Sequence, residues 1–113
     1  MANEVIPTPT FTGKAKRLAK KFRTLFDSID ELETRLLANP RLGDAYGKNI
    51  YKVRLADESK GKGKSGGFRV ITYVIDERAD GTSIYLVTVF DKSEEETIKK
   101  PDAIELVKKC GLM

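Results

Sequence analysis

Residues 50–55 read Ile50-Tyr51-Lys52-Val53-Arg54-Leu55. Apolar and cationic side chains alternate there, and a period of two belongs to a strand with one face buried and the other wet. The spacing predicts Tyr51, Val53 and Leu55 turned inward and Lys52 and Arg54 turned outward. Two further runs, Phe68 to Asp76 and Ser83 to Phe90, are rich in the β-branched and aromatic residues that suit a pleated surface. Asp80-Gly81 between them is a hairpin signal in a loop longer than the two-residue ideal. These two runs are expected to form the centre of an antiparallel sheet.

Upstream, Val5 to Phe11 alternates apolar residues with Thr and Pro. Pro7 and Pro9 lack an N–H for a ladder, so this segment predicts a short edge strand. From about Phe11 the period lengthens: Phe11, Ala15, Leu18, Ala19 and Phe22 recur at helical spacing, with Lys14, Lys16, Arg17, Lys20 and Lys21 on the remaining surface. Thr24 with Asp27, or Ser28 with Glu31, offers a capping-box start for a second helix. Its stripe is Leu25, Ile29, Leu32 and Leu36, and Pro40 ends it. Segment 43–49, with Gly43, Asp44, Gly47 and Asn49, predicts turns. Pro101 near a first turn and Gly111 past an end bracket a short last helix whose apolar part is Ile104, Leu106 and Val107. The expected order is β-α-α-β-β-β-(α). It describes an α+β domain with the two N-terminal helices on one face of a small, mainly antiparallel sheet and the opposite face left for function. At 113 residues, without repeats or linkers, 1–113 is expected to be one domain.

Composition narrows the chemistry. Hydrophobic residues are 40% and charged residues 34%, within the range of folded proteins. The net charge of +4 is unevenly placed. Lys14, Lys16, Arg17, Lys20, Lys21 and Arg23 follow one another without an acid, as do Lys60, Lys62, Lys64 and Arg69. Acids gather at Asp27 to Glu33, Asp76 to Asp80 and Asp91 to Glu96. Segregated faces of opposite sign suit a polyanionic partner. A lone cysteine, Cys110, forms no internal disulfide, and no Cys/His cluster offers a zinc site. Neither a signal-type apolar core near the start nor an apolar run of membrane-spanning length is present, so a cytoplasmic protein is expected, with no membrane partner. Histidine is absent, which removes the commonest general base and the Ser-His and Cys-His nucleophile systems. Any catalysis runs on Lys, Arg, Tyr, Asp or Glu.

On the predicted strands, Lys52 and Arg54 project to one side about 7 Å apart. Arg69 opens the neighbouring strand, its period-mate Tyr73 shares that face, and Lys92 follows the last strand. If the strands are adjacent, these residues converge on a basic surface rimmed by Lys60, Lys62 and Lys64, suited to a phosphate chain with a base stacked on an aromatic ring. The same residues also suit plainer roles: Lys52 and Arg54 as solvent-facing strand positions, Arg69 and Lys92 as ion-pair partners, Tyr73 as core, the lysine-glycine loop as a solubilising connection. The face carrying Lys16 and Lys20 is either an RNA contact or a solvated helix surface. Gly61, Gly63, Gly66 and Gly67 are not followed by a helix and lack the Walker spacing, which excludes a nucleoside-triphosphate loop. Nothing in the sequence calls for a cofactor. Adjacent acids such as Glu94-Glu95-Glu96 converge poorly on one cation.

Three segments carry a resemblance: Tyr51-Lys52-Val53-Arg54-Leu55-Ala56; Gly61-Lys62-Gly63-Lys64-Ser65-Gly66-Gly67-Phe68-Arg69-Val70-Ile71; and Val89-Phe90-Asp91-Lys92. Together they resemble the RelE/ParE superfamily and are most similar to its RelE/HigB-like branch. The segment from Lys16 to Pro40, ending Leu37-Ala38-Asn39-Pro40-Arg41-Leu42-Gly43, is similar too. The resemblance implies the toxin of a type II toxin-antitoxin system, a ribosome-dependent, metal-independent mRNA endonuclease (an mRNA interferase) that inhibits translation. In such enzymes the ribose 2′-hydroxyl attacks the adjacent phosphate. It also implies a cognate antitoxin protein, the ribosome and mRNA as partners, and no small-molecule cofactor. On this resemblance Lys52 and Arg54 take proton-transfer and phosphate-binding roles, Arg69 stabilises the transition state and Lys92 holds a further phosphate. Relatives carry an arginine directly after the position of Lys92 and a tyrosine further on. Here Ser93 and Lys99 stand in those places, and Tyr73 is the substitute aromatic. The alternative within the superfamily is a ParE-like protein directed at DNA gyrase, or an inactive co-repressor acting with its antitoxin.

Overall fold

The computed structural model describes residues 3–55, 67–77, 81–91 and 98–112. The chain runs β1 (Glu4–Pro7), α1 (Pro9–Ala19), α2 (Leu25–Ala38), β2 (Asp44–Gly47), β3 (Ile50–Leu55), β4 (Phe68–Glu77), β5 (Gly81–Asp91) and α3 (Lys100–Lys109). The strands form one sheet in the order β1-β5-β4-β3-β2. β1 runs parallel to β5, and the other three pairings are antiparallel. The α+β, mainly antiparallel expectation is met. Among the described residues no helix is long and apolar enough to cross a membrane.

β1, with Pro7 at its end, is the expected edge strand, but the helix after it starts earlier than the apolar period indicates, at Pro9 rather than Phe11. Thr8 explains the early start. Its backbone N–H and its Oγ1 both donate to the Leu86 carbonyl, Oγ1 also lies 3.1 Å from the Val87 carbonyl, and Oγ1 accepts from the Phe11 N–H at 3.2 Å. The β4–β5 register shifts at this point, Ile71 facing Thr88 and Thr72 facing Leu86, so Val87 is the extra residue of a bulge. One buried threonine thus serves carbonyls beside the bulge and caps α1, and Pro9, with no N–H to satisfy, fits the first turn.

Alternation along the strands builds two apolar layers. Val53, Leu55, Phe68, Val70, Val74, Ile84, Leu86 and Val89 turn toward α1 and α2 and bury against Phe11, Ala15, Leu25, Ile29, Leu32 and Leu36. Phe22 lies just beyond the end of α1 and still reaches this core, its ring edge-on to Phe68 at 5.0 Å. On the other face Ile50, Ile71, Val87 and Phe90 are covered by Ala103 and Val107 of α3. The face opposite α1 and α2 is therefore not left wholly free. Its centre is apolar and needs cover, and a short helix supplies it. Ile104 and Leu106 only flank this contact, half-buried, while Ala103 makes it. α3 ends as expected at Gly111, with φ +76 and bonds from the Gly111 N–H to Lys108 and from the Leu112 N–H to Val107, the paired geometry of a glycine helix stop.

Segment 43–49, expected as turns, contains the strand β2. Lys48 and Asn49 make the reversal into β3, Asn49 at φ +63. β2 is mostly exposed, so it carries no apolar alternation to read, and its strand conformation comes from pairing with β3.

Candidate active site

Cross-strand register places the predicted cations. Arg54 of β3 lies directly opposite Arg69 of β4, Lys52 opposite Ile71, and Ile50 opposite Tyr73. Opposed residues share a face, with Cβ atoms about 5 Å apart. Lys52, Arg54 and Arg69 therefore stand together on the face away from α1 and α2. Rows on one face are about 7 Å apart, so Tyr73 lies about 13 Å along its strand from Arg69. The structure brings the three cations together and does not bring Tyr73 beside the arginine pair. Tyr73 is half-buried and packs with the residues under α3.

Each cation has a different setting. Arg54 is exposed, and Lys52 is half-buried with Nζ 5.0 Å from the centre of the Tyr46 ring. Tyr46 is held in turn by its hydroxyl, which donates to the Ile98 carbonyl ahead of α3. Arg69 is only 7% exposed, and its Nη1 donates to the Phe68 carbonyl at 3.2 Å. Burial, and after it the positive charge of Arg54, lower the Arg69 pKa from its ordinary value. Arginine still keeps its proton at neutral pH. The result is a desolvated guanidinium fixed beside a second, solvent-facing one. Like charges placed directly opposite on a sheet destabilise it, and an anion between them would reverse the sign of that contribution. Guanidinium forks match phosphate oxygens in pairs, and preorganised donors in a partly dry setting act strongly on a charged transition state.

Lys60, Lys62, Lys64 and Lys92 lie outside the described residues. Lys16 on α1 and Lys20 just past its end are exposed, and α1 covers the other face of the sheet, so they do not join the strand-face cluster. The sequence reading missed Tyr46, which sits under Lys52. Only recognition of β2, which lacks an apolar pattern, would have paired the two.

A small α+β domain with stacked cations at one end of its sheet is the class that fold and site define, and the fold is RelE-like. Among solved structures it is similar to that of the E. coli toxin RelE in the free state, a mutant with two arginines changed to alanine. It matches with a TM-score of 0.59 at 19% sequence identity, covering 96% of this chain and 98% of that one. No protein-family model matches the sequence.

Proposed function

We infer that the protein is a RelE-like toxin of a toxin-antitoxin pair, an endonuclease that cleaves mRNA on the ribosome in the cytoplasm and is neutralised by an antitoxin protein. The observation that carries this reading is the Arg54–Arg69 opposition: a buried cation and an exposed one on facing positions, unfavourable for the free fold and suited to a phosphodiester. The RelE-like fold and the motif residues support it.

In the reaction the ribose 2′-oxygen forms a bond to the adjacent phosphorus and the bond to the 5′-oxygen breaks, leaving a cyclic phosphate and a 5′-hydroxyl. Arg69, held by the Phe68 carbonyl, and Arg54 face the non-bridging oxygens, where negative charge grows. Lys52, one row away, is the member of the cluster suited to proton transfer from the 2′-hydroxyl. Lys92 adds a phosphate contact, and Lys60, Lys62 and Lys64 add further RNA contacts, whereas Tyr73, under α3, and Lys16 and Lys20, on the side of α1, stand apart from this cluster.

Primer extension on a defined message in a reconstituted translation mix tests this. Wild-type protein is expected to cut only when ribosomes are present, and Arg69→Ala to leave the message whole. Intact message at high wild-type protein, with growth arrest showing as DNA damage, would replace this reading by the gyrase-directed one.

A further inference from the structure

β2 is too short to cover β3. Its pairing ends at Asp44 opposite Lys52, and among the described residues no strand pairs with the outer edge of β3 from Val53 onward. An open depression of about 320 Å³ lies over this edge, lined by Arg35, Leu42, Gly43, Asp44, Lys52, Val53 and Arg54. Its wall is built by Gly43, at φ +102, whose backbone crosses so close to β3 that an added Cβ would lie 2.5 Å from the Lys52 carbonyl oxygen. Arg35 is exposed in the last turn of α2 and reaches the depression from the helix side of the sheet. Lys52 and Arg54 reach it from the other face. Cations from both faces thus meet in its lining, three against the single carboxylate of Asp44.

We propose that this depression is a second anion subsite, in which Arg35 binds a phosphate of the single-stranded RNA next to the one held between Arg54 and Arg69. The proposal rests on the nuclease reading and adds to it a path for the RNA, over the β3 edge toward α2. Arg54 belongs to both sites, since it lines the depression and also faces Arg69 across the β3–β4 pair. Volume agrees: the depression is at the small end for ligand pockets, matching a phosphodiester and its sugar. Arg35 also has a plain structural role, since a cation in the last turn of a helix is favoured by the free carbonyls there. That role is read in stability, whereas the subsite is read in RNA affinity and its salt dependence.

The test is fluorescence anisotropy of the full chain with a labelled single-stranded RNA octamer, every ribose 2′-O-methylated so that it cannot be cut, across a salt series. Arg35→Gln is expected to bind about fivefold more weakly and to flatten the slope of log affinity against log salt by about 0.7, one single-strand phosphate contact. Arg35→Lys should keep most of both, and Asp44→Asn should bind more tightly than wild type. Circular dichroism confirms that each variant is folded. On ribosomes Arg35→Gln should need more protein for half-maximal cutting while reaching the wild-type saturating rate. If Arg35→Gln and Asp44→Asn leave affinity and slope unchanged while Arg69→Gln lowers both, the subsite is wrong and the nuclease reading stands. Wild-type protein that binds no octamer also overturns the subsite, and the ribosome assay then decides the nuclease reading separately.

Discussion

Removing one of the two opposed arginines should make the protein more stable and less active. In Arg54→Gln the backbone, the strand position and most of the side-chain length are kept, and the charge facing Arg69 is lost. With Cβ atoms about 5 Å apart, the two charge centres splay to about 7 Å. Coulomb's law then gives a repulsion of about 0.6 kcal/mol in a water-like medium and about 2.4 kcal/mol at the effective dielectric of a protein surface. Arg54 is exposed, so the lower end applies, and a gain of about 0.5 to 1 kcal/mol is expected. For a chain of this size that is an increase of about 2 to 6 °C in Tm. Urea unfolding followed by circular dichroism measures it directly. Salt supplies an internal control: wild type should gain stability between low and moderate salt as the repulsion is screened, and Arg54→Gln should gain less. A cycle with Arg69→Gln isolates the coupling from the cost of replacing a buried, hydrogen-bonded side chain. Loss of stability in Arg54→Gln, or a favourable coupling between the arginines, would show that the cation row is structural and would refute the argument that it is arranged for an anion.

Three other outcomes follow from the packing. Burial, and then the charge of Asp30, raise the Glu33 pKa above its ordinary 4.5. The folded state therefore holds this proton more tightly than the unfolded one, and stability contributed by Glu33 is lost as pH rises from 4.5 through the raised value. Glu33→Gln should be the more stable protein at neutral pH, with the difference shrinking toward pH 4 in parallel urea titrations. Thr72 Oγ1 is fully buried and, among the described residues, has no hydrogen-bond partner, so Thr72→Val should add about 1 kcal/mol; destabilisation would mean that the hydroxyl is satisfied by water. Gly43→Ala forces a Cβ to 2.5 Å from the Lys52 carbonyl oxygen and 2.9 Å from Val53 Cγ2 at a positive φ, and should cost about 2 to 4 kcal/mol in the same assay.

How far the site could be read from the chain depended on periodicity. Lys52 and Arg54 were placed on one face by the two-residue repeat of β3, and Arg69 joined them because Phe68 and Val70 on either side are core residues. Tyr73 obeys the same parity and was rightly placed on that face. Parity says nothing of what lies above a residue, and α3 covers the row in which Tyr73 stands. The starts of elements were less legible. α1 begins at Pro9 because Thr8 bonds to carbonyls seventy-eight and seventy-nine residues away, and no local pattern announces such partners.

By itself the sequence determined the helical stripe from Leu25 to Leu36, the alternating strands, the α+β order and the lack of histidine that leaves any chemistry to lysine, arginine, tyrosine and the acids. These are one-dimensional properties: period, composition and breaker residues act within a few positions of themselves. Only the tertiary structure decided that Arg54 faces Arg69, that β2 is a strand, that α3 covers the middle of the second face and that Arg35 lines one depression with Lys52 and Arg54. Each of these depends on register and on which surfaces need cover, and those are settled by contacts between residues distant in the chain.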